Sequence, residues 1–235
     1  MTLRLKDLTV AYPGHEPVLN SISLEIHDNE TIALMGANGS GKTSLLLALV
    51  GILPASGEIT LDGTALTKKT ASFFRQHIGM VFQNPDDQLF SPSIWEDVAF
   101  GLENMAIPEA EIDTQVNALL EALGLTHLKD RTPHDLSGGE KKIAALATVL
   151  VMKPDLIMLD EPTAFLDMRA RKRLEAVLND IPQAKLITTH DVRFAARMCQ
   201  RAILLNGGKI AADGDALTLF KDRELMDRCG LDALE

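Results

Sequence analysis

The run Thr31 to Met35 leads directly into Gly36-Ala37-Asn38-Gly39-Ser40-Gly41-Lys42-Thr43, and an apolar stretch from Lys42 to Val50 follows. A buried strand, a glycine loop and a buried helix in that order turn the chain back at the end of a strand. This is the repeating unit of a parallel α/β sheet. Phosphate oxygens need several backbone N–H donors converging on one point, and residues without bulky side chains let the backbone come that close. Gly36, Gly39 and Gly41 supply that opening. Lys42 adds a positive charge for the outer phosphates, Thr43 a hydroxyl for Mg²⁺, and the helix its N-terminal dipole. The competing reading of the same residues is an ordinary glycine turn between strand and helix.

Periodicity extends the α/β reading in both directions. Leu3, Leu5, Leu8 and Val10 alternate roughly, and Ile22, Leu24 and Ile26 cleanly, so the N-terminal part reads as β. Gly57 to Asp62 and Ile78 to Phe82 read as further strands. The middle is helical over Ser93 to Met105, Glu109 to Leu123 and Gly138 to Met152, punctuated by Pro92, Pro108 and Pro133. Strand and helix alternate again afterwards: Leu156 to Leu159, Met168 to Asn179, Lys185 to Thr189, and Asp191 to Cys199. Asn206-Gly207-Gly208 closes a hairpin between Ala202 to Leu205 and Lys209 to Ala212, and short helices finish the chain. The pattern is an α/β core with a helical insertion.

Other residues can carry chemistry from these elements. Asp160 and Glu161 emerge at the end of an apolar strand, where ligand sites of parallel sheets lie. Asp160 there can hold Mg²⁺ through its water shell and Glu161 can polarise an attacking water, or the pair can cap the next turn. His190 follows a strand and can contact a γ-phosphate, or it can be a turn histidine before a helix capped by Asp191. Gln83 likewise reads as a ligand for Mg²⁺ or water, or as a polar turn residue. Tyr12 is the only tyrosine; it can stack on an adenine ring or be a half-buried aromatic at a strand end. Leu136-Ser137-Gly138-Gly139-Glu140 reads as a helix start, because Ser137 and Glu140 have the spacing of a capping box.

Bulk properties exclude several classes. The net charge is -10 with no basic block, which argues against nucleic acid as a partner. Lys68-Lys69, Lys141-Lys142 and Arg169 to Arg173 read as solvated helix faces. Two cysteines without metal-like spacing read as free thiols in a reducing compartment, and the six histidines are scattered. The longest apolar run, Leu45 to Leu53, is far short of the ~20 residues that span a bilayer, and no signal peptide is visible.

Taken together, these residues resemble the ATP-binding subunit of ABC transporters over nearly the whole chain, with the motifs in family order. Tyr12 matches the adenine-stacking loop, Gly36 to Ser44 the Walker A loop, and Gln83 the Q-loop. Leu136 to Glu140 matches the signature motif, Asp160 and Glu161 the Walker B carboxylate and the catalytic glutamate, Asp167 the D-loop, and His190 the switch histidine. The resemblance implies an ATPase with a P-loop NTPase core of α/β class, an antiparallel β subdomain and a helical subdomain. It implies one ABC ATP-binding domain over 1–235: core and β subdomain at about 1–84 and 153–235, Q-loop and helical signature subdomain at about 85–152. ATP and Mg²⁺ are the implied ligands, with Thr43 and Gln83 on the metal and Asp160 acting through water. Glu161, His190 and Gln83 are the implied catalytic groups. In such proteins two subunits face head to tail, so Ser137, Gly138, Gly139 and Glu140, with Asp167, serve the nucleotide across a homodimer or a pair of related ATPases.

A narrower resemblance follows Gln83. Gln83-Asn84-Pro85-Asp86-Asp87-Gln88-Leu89-Phe90, Glu96 to Gly101 and Leu136 to Lys142 are similar to the ATPases of energy-coupling-factor importers. That implies a transmembrane coupling protein and a substrate-binding membrane subunit as partners, with the chain at the cytoplasmic face of the membrane. Phe90 and Trp95 become candidate contacts of the coupling protein, or Trp95 a core residue. The sequence looks most like the cobalt or nickel type; the biotin type is close, and the stretch around Asp167 leans that way. A soluble ABC ATPase in translation or repair is a further class, but paired domains, coiled coils and basic surfaces are missing. Phe165 and Met168 depart from the family's small residue and proline around the D-loop.

Overall fold

The computed structural model describes residues 1–234. In chain order it forms β1 (Thr2–Ala11), β2 (Pro17–His27), β3 (Thr31–Met35), α1 (Lys42–Leu49), β4 (Ala55–Leu61) and β5 (Thr64–Ala65). Then come α2 (Ala71–His77), β6 (Ile78–Val81), α3 (Ile94–Asn104), α4 (Glu109–Ala122) and α5 (Gly138–Leu150). The last part holds β7 (Leu156–Asp160), α6 (Met168–Asp180), β8 (Ala184–Thr188), α7 (Val192–Met198), β9 (Arg201–Asn206), β10 (Lys209–Asp215), α8 (Ala216–Lys221) and α9 (Arg223–Arg228). The chain divides into two compact units. The first comprises 1–78, 155–161 and 183–235; the second comprises 79–154 and 162–182.

The first unit contains two sheets. One is antiparallel, in the order β2-β1-β4-β5. The rough alternation of β1 has a physical cause: Asp7 takes a left-handed conformation (φ 50°), and the register slips between Leu5 and Leu8. An extra residue at a bulge shifts the side-chain phase, so Leu3 and Leu5 before it and Leu8 and Val10 after it share the buried face. The other sheet runs β10-β9-β3-β8-β7 within this unit, and its β9-β3-β8-β7 pairs are parallel. Every residue of β3, β7 and β8 is buried, which is why β3 and β7 read as near-continuous apolar runs; in β8 Lys185 interrupts the run although it is buried too. Their C-terminal ends deliver Gly36, Glu161 and Thr189. α2 escapes notice in the sequence because only Phe74 of its seven residues is buried and no side chain caps it; Thr70 instead donates to the Ala65 carbonyl.

The second unit is built on helices. Ser93 caps α3, whose buried face is Ile94, Val98, Ala99 and Leu102 with Asp97. Ile112, Val116 and Leu120 recur every four residues and give α4 one apolar stripe. Both helices belong to the group around α5, which buries Ile143 to Ala147. α6 packs on α5 as well. A Cβ at Gly139 would stand 2.7 Å from the Cβ of Ala170, an approach that only glycine permits. The compact units divide at 78/79, 154/155, 161/162 and 182/183, and 162–182 groups with α5. Two sequence expectations are overturned: Lys142 is not on a solvated helix face but is only 4% exposed. Lys68 and Lys69 lie in a turn, not on a helix. Among the described residues, no helix is long and apolar enough to cross a membrane.

Candidate functional site

Gly36 enters the loop after β3 with φ 153°, and a Cβ there would meet the Leu205 carbonyl oxygen at 2.5 Å and Ser40 Oγ at 2.8 Å. At Gly36 the loop backbone therefore lies against β9 with no room for a side chain. Ser40 Oγ is buried in this loop without a hydrogen-bond partner. Lys42 is 8% exposed and its ammonium donates to the carbonyls of Gly36 (2.9 Å) and Ala37 (3.1 Å). Burial lowers its pKa, opposed by the charges of Glu161 and Asp160. A partly desolvated ammonium in a glycine loop, with an orphaned hydroxyl beside it, fits the phosphates of a nucleotide.

The carboxylates arrive from β7. Thr43 Oγ1 donates to Asp160 Oδ2 at 2.8 Å, which joins the start of α1 to the end of β7. Thr188, at the end of β8, donates to Asp160 Oδ1. Both oxygens of Asp160 are thus oriented, and a hydroxyl and a carboxylate stand together as a hard oxygen set suited to Mg²⁺. Glu161 adopts φ 43°, and its amide N–H donates to Thr188 O (3.1 Å) and Thr188 Oγ1 (3.0 Å). Its carboxylate lies 3.0 Å from His190 Nδ1; the Glu161 side chain is 10% exposed, that of His190 67%. His190 stands two residues past β8, and Asp191 caps α7 by accepting from Phe194 N–H (2.9 Å). The two readings of this segment are compatible: the aspartate caps, and the histidine remains free to meet the glutamate. Tyr12 follows β1, half-exposed, with its hydroxyl 3.2 Å from Ser44 Oγ.

The first unit therefore gathers the phosphate loop, Thr43, Ser44, Tyr12, Asp160, Glu161 and His190. The second unit gathers Ser137, Gly139, Glu140 and Asp167, which with Arg169 line a cavity of about 380 Å³. The capping box is present: Ser137 Oγ accepts from the Glu140 N–H and donates to Glu140 Oε2 (2.6 Å), while the Ser137 N–H donates to the same oxygen (2.8 Å). These bonds, from the Ser137 hydroxyl first and its amide second, hold the Glu140 carboxyl below the usual range. Asp167 caps α6 through the Ala170 N–H (2.8 Å). Phe165 is 93% exposed at φ 63°, and Met168 is exposed too. Trp95 is half-buried, and Phe90 is exposed with its ring edge-on to Phe100.

Gln83 lies in the second unit, two residues beyond β6 and exposed. Its backbone carbonyl accepts from Lys142 Nζ. Sequence reasoning passed over Thr188 and Lys142. Thr188 had a visible signal, a polar residue following the apolar pair Leu186-Ile187 at a strand end; Lys142 was masked by its neighbour Lys141, which pairs with Asp86 at 2.6 Å.

Comparison with known proteins shows the family and the fold. A family model described as "ABC transporter" matches residues 19–164, more than half of the chain. A Geobacter sulfurreducens protein provisionally named as an ABC transporter ATP-binding protein is 43% identical over 231 residues, 98% of this chain and 93% of that protein. The energy-coupling factor transporter ATP-binding protein EcfA of Methanothermobacter thermautotrophicus is 42% identical over 97% of this chain and 76% of its own length. Among solved structures, cbiO1 of Clostridium perfringens, described as part of the ABC transporter complex cbiONQ, superposes with a TM-score of 0.83 at 36% identity. The match covers 96% of this chain and 92% of that one.

Proposed function

The chain belongs to the ATP-binding proteins of ABC transporters, ATPases whose turnover is coupled to transport, and we propose that it powers an energy-coupling-factor importer of a micronutrient, cobalt or nickel ions. The observation that carries the ATPase reading is the cluster Thr43–Asp160–Thr188 with Glu161–His190 at the ends of adjacent parallel strands, beside the phosphate loop. The importer type is supported by the EcfA relative, by the cbiO1 neighbour, and by the resemblance of Gln83 to Phe90 to that group.

In this reading backbone N–H groups of the glycine loop, other than those of Ala37 and Ser40, which donate to the carbonyls of Cys229 and Ala37, and the Lys42 ammonium hold the β- and γ-phosphates, with Tyr12 against the adenine. Thr43 and Gln83, with Asp160 acting through water, would hold Mg²⁺, and the ion would supply neutralisation of phosphate charge. Glu161 accepts a proton from the attacking water. His190, within hydrogen-bond reach of Glu161, orients that carboxylate and meets the γ-phosphate. Ser137 and the N–H groups of Gly138 and Gly139 serve the γ-phosphate of a nucleotide on a second ATPase subunit, because a helix N-terminus is an anion site, and Glu140 keeps that terminus in shape. Asp167 couples the two sites. The partners are then a second copy or a related ATPase, a transmembrane coupling protein and a substrate-binding membrane subunit, at the cytoplasmic face of the membrane.

Glu161→Gln tests the chemistry: turnover is lost, ATP binding remains, and an ATP-dependent dimer accumulates on size-exclusion chromatography. Wild-type turnover in this variant refutes the role of Glu161. Uptake of labelled Co²⁺, Ni²⁺ and biotin by cells with and without the chain tests the substrate. A defect confined to biotin moves the assignment to the vitamin type.

A further inference from the structure

Lys142 is a buried cation in a helix otherwise packed with Ile143, Ala144, Ala145 and Leu146. Burying an ammonium is unfavourable unless its donors are used. Here one of them is spent on a single backbone atom, the carbonyl oxygen of Gln83. The other side of Gln83 is tied to the same helix. The amide of Phe82 donates to Gln88 Oε1 at 3.1 Å, and Gln88 Nε2 donates to the Ala145 carbonyl at 2.9 Å and to Thr148 Oγ1 at 2.8 Å. Gln83 is therefore bracketed: its own carbonyl and the amide of the preceding residue both lead to α5. All of these groups lie in the second unit. The N-terminus of α5 is Ser137, so one rigid helix carries the signature serine at its tip and holds Gln83 on its flank.

We propose that Lys142 and Gln88 are positioning residues that clamp Gln83 to helix α5, so that the placement of the Gln83 carboxamide follows the helix headed by Ser137. The inference rests on the reading that Gln83 serves magnesium and water, and it adds the two residues that give Gln83 a fixed place. A charge-assisted bond from a buried ammonium holds a carbonyl more firmly than a neutral one, and Gln88, using both ends of its carboxamide, fixes a distance between two backbone segments. The exposed pair Lys141–Asp86 spans the same two segments but is solvent-screened.

The test is steady-state ATPase kinetics of the full chain, at protein concentrations that saturate its rate, in a double-mutant cycle. Lys142→Met and Gln88→Leu each lower kcat about tenfold while KM for ATP changes less than about twofold. In a Gln83→Ala background, either substitution adds less than about twofold, because a clamp has no effect once the side chain it places is gone. Lys142→Arg, which keeps a donor, restores most of the rate, and Lys141→Met leaves it within about twofold. An unchanged kcat in Lys142→Met and Gln88→Leu overturns the inference, as does a loss that multiplies that of Gln83→Ala, the mark of a merely structural role. Gln88 is only half-buried, so Gln88→Leu carries the same comparison if Lys142→Met does not fold. Gln83→Ala with wild-type kcat overturns the reading of Gln83 itself, a result distinct from failure of the clamp.

Discussion

Thr188→Val isolates a buried hydroxyl that binds the Asp160 carboxylate and the Glu161 backbone. Thr188 is 0% exposed; its Oγ1 donates to Asp160 Oδ1 and accepts from the Glu161 N–H at 3.0 Å. Valine puts a methyl where the hydroxyl was, so no cavity opens and the change is one of hydrogen bonding. The Glu161 N–H keeps the Thr188 carbonyl at 3.1 Å and is not left unpaired. Asp160 keeps the bond from Thr43 at 2.8 Å but loses the other, with the residue only 4% exposed. A hydrogen bond to a charged group contributes about 1.5–3 kcal/mol, so a loss of about 2 kcal/mol is expected. In a chain of this size that lowers Tm by about 4–8 °C. The carboxylate proposed to serve Mg²⁺ is then oriented through one oxygen instead of two. Expressed in full in the transition state, the same energy lowers kcat by at least tenfold, at about 1.4 kcal/mol per decade. The assays are differential scanning fluorimetry and a coupled ATPase assay titrated with Mg²⁺. Thr188→Ser, which keeps the hydroxyl, should retain most of the rate. Wild-type Tm and kcat in Thr188→Val would mean that Thr43 alone orients Asp160, and the reasoning would be wrong.

Three further outcomes are expected. Gly36→Ala, whose Cβ would lie 2.5 Å from the Leu205 carbonyl oxygen, should weaken nucleotide binding by about tenfold or more through displacement of the loop; unchanged affinity in a fluorescent-nucleotide titration would refute the tight seating. Ser137→Ala should slow hydrolysis with little effect on first binding of ATP, and should let the Glu140 carboxyl rise toward its usual range, read by side-chain NMR titration. Because the folded Glu140 value is depressed, its contribution to stability is present above the unfolded pKa and is lost as pH falls through the folded one; the variant should lose that acid-side dependence. Burial pushes the Cys199 thiol up to about 12 and Cys229 upward as well, so iodoacetamide at pH 8 should label neither in the folded chain and both after unfolding, as mass spectrometry would record.

Local chemistry made much of this molecule legible. The strand–loop–helix at Thr31 to Val50 contains its own reason to fold, because apolar periods and glycine positions sit in one short stretch. The capping box of Ser137 and Glu140 is equally local, and so are the caps at Ser93, Asp167 and Asp191. What the sequence hid were relations set by tertiary structure. Thr188 matters because β8 lies beside β7, a pairing that no window of residues encodes. Lys142 looked solvated beside Lys141, yet one helical step of about 100° separates a half-exposed lysine from a buried one. The placement of 162–182 with α5 rests on a contact between Gly139 and Ala170, remote in sequence. Short α2, with one buried side chain and no side-chain cap, had neither signal.

Glu161 joins the local and the remote. Its backbone is left-handed without being glycine, a conformation that costs about 1–3 kcal/mol and persists only where the surroundings determine it more than once. Here they do so three times: its N–H is shared by the Thr188 carbonyl and hydroxyl, its carboxylate meets His190, and the residue is 7% exposed. A β-strand would send the residue after Asp160 to the opposite face of the sheet. The reversal at Glu161 breaks that alternation, and two adjacent carboxylates can then serve one site, Asp160 held by hydroxyls and Glu161 by an imidazole. Strain at this residue is therefore the structural cost of placing two carboxylates of one site next to each other in sequence, in the proposed roles of metal-side and water-side acid. Glu161→Gly should raise thermal stability relative to Glu161→Ala, because glycine adopts the left-handed turn freely and both variants lack the carboxylate. Equal Tm values would show that the turn stores no strain.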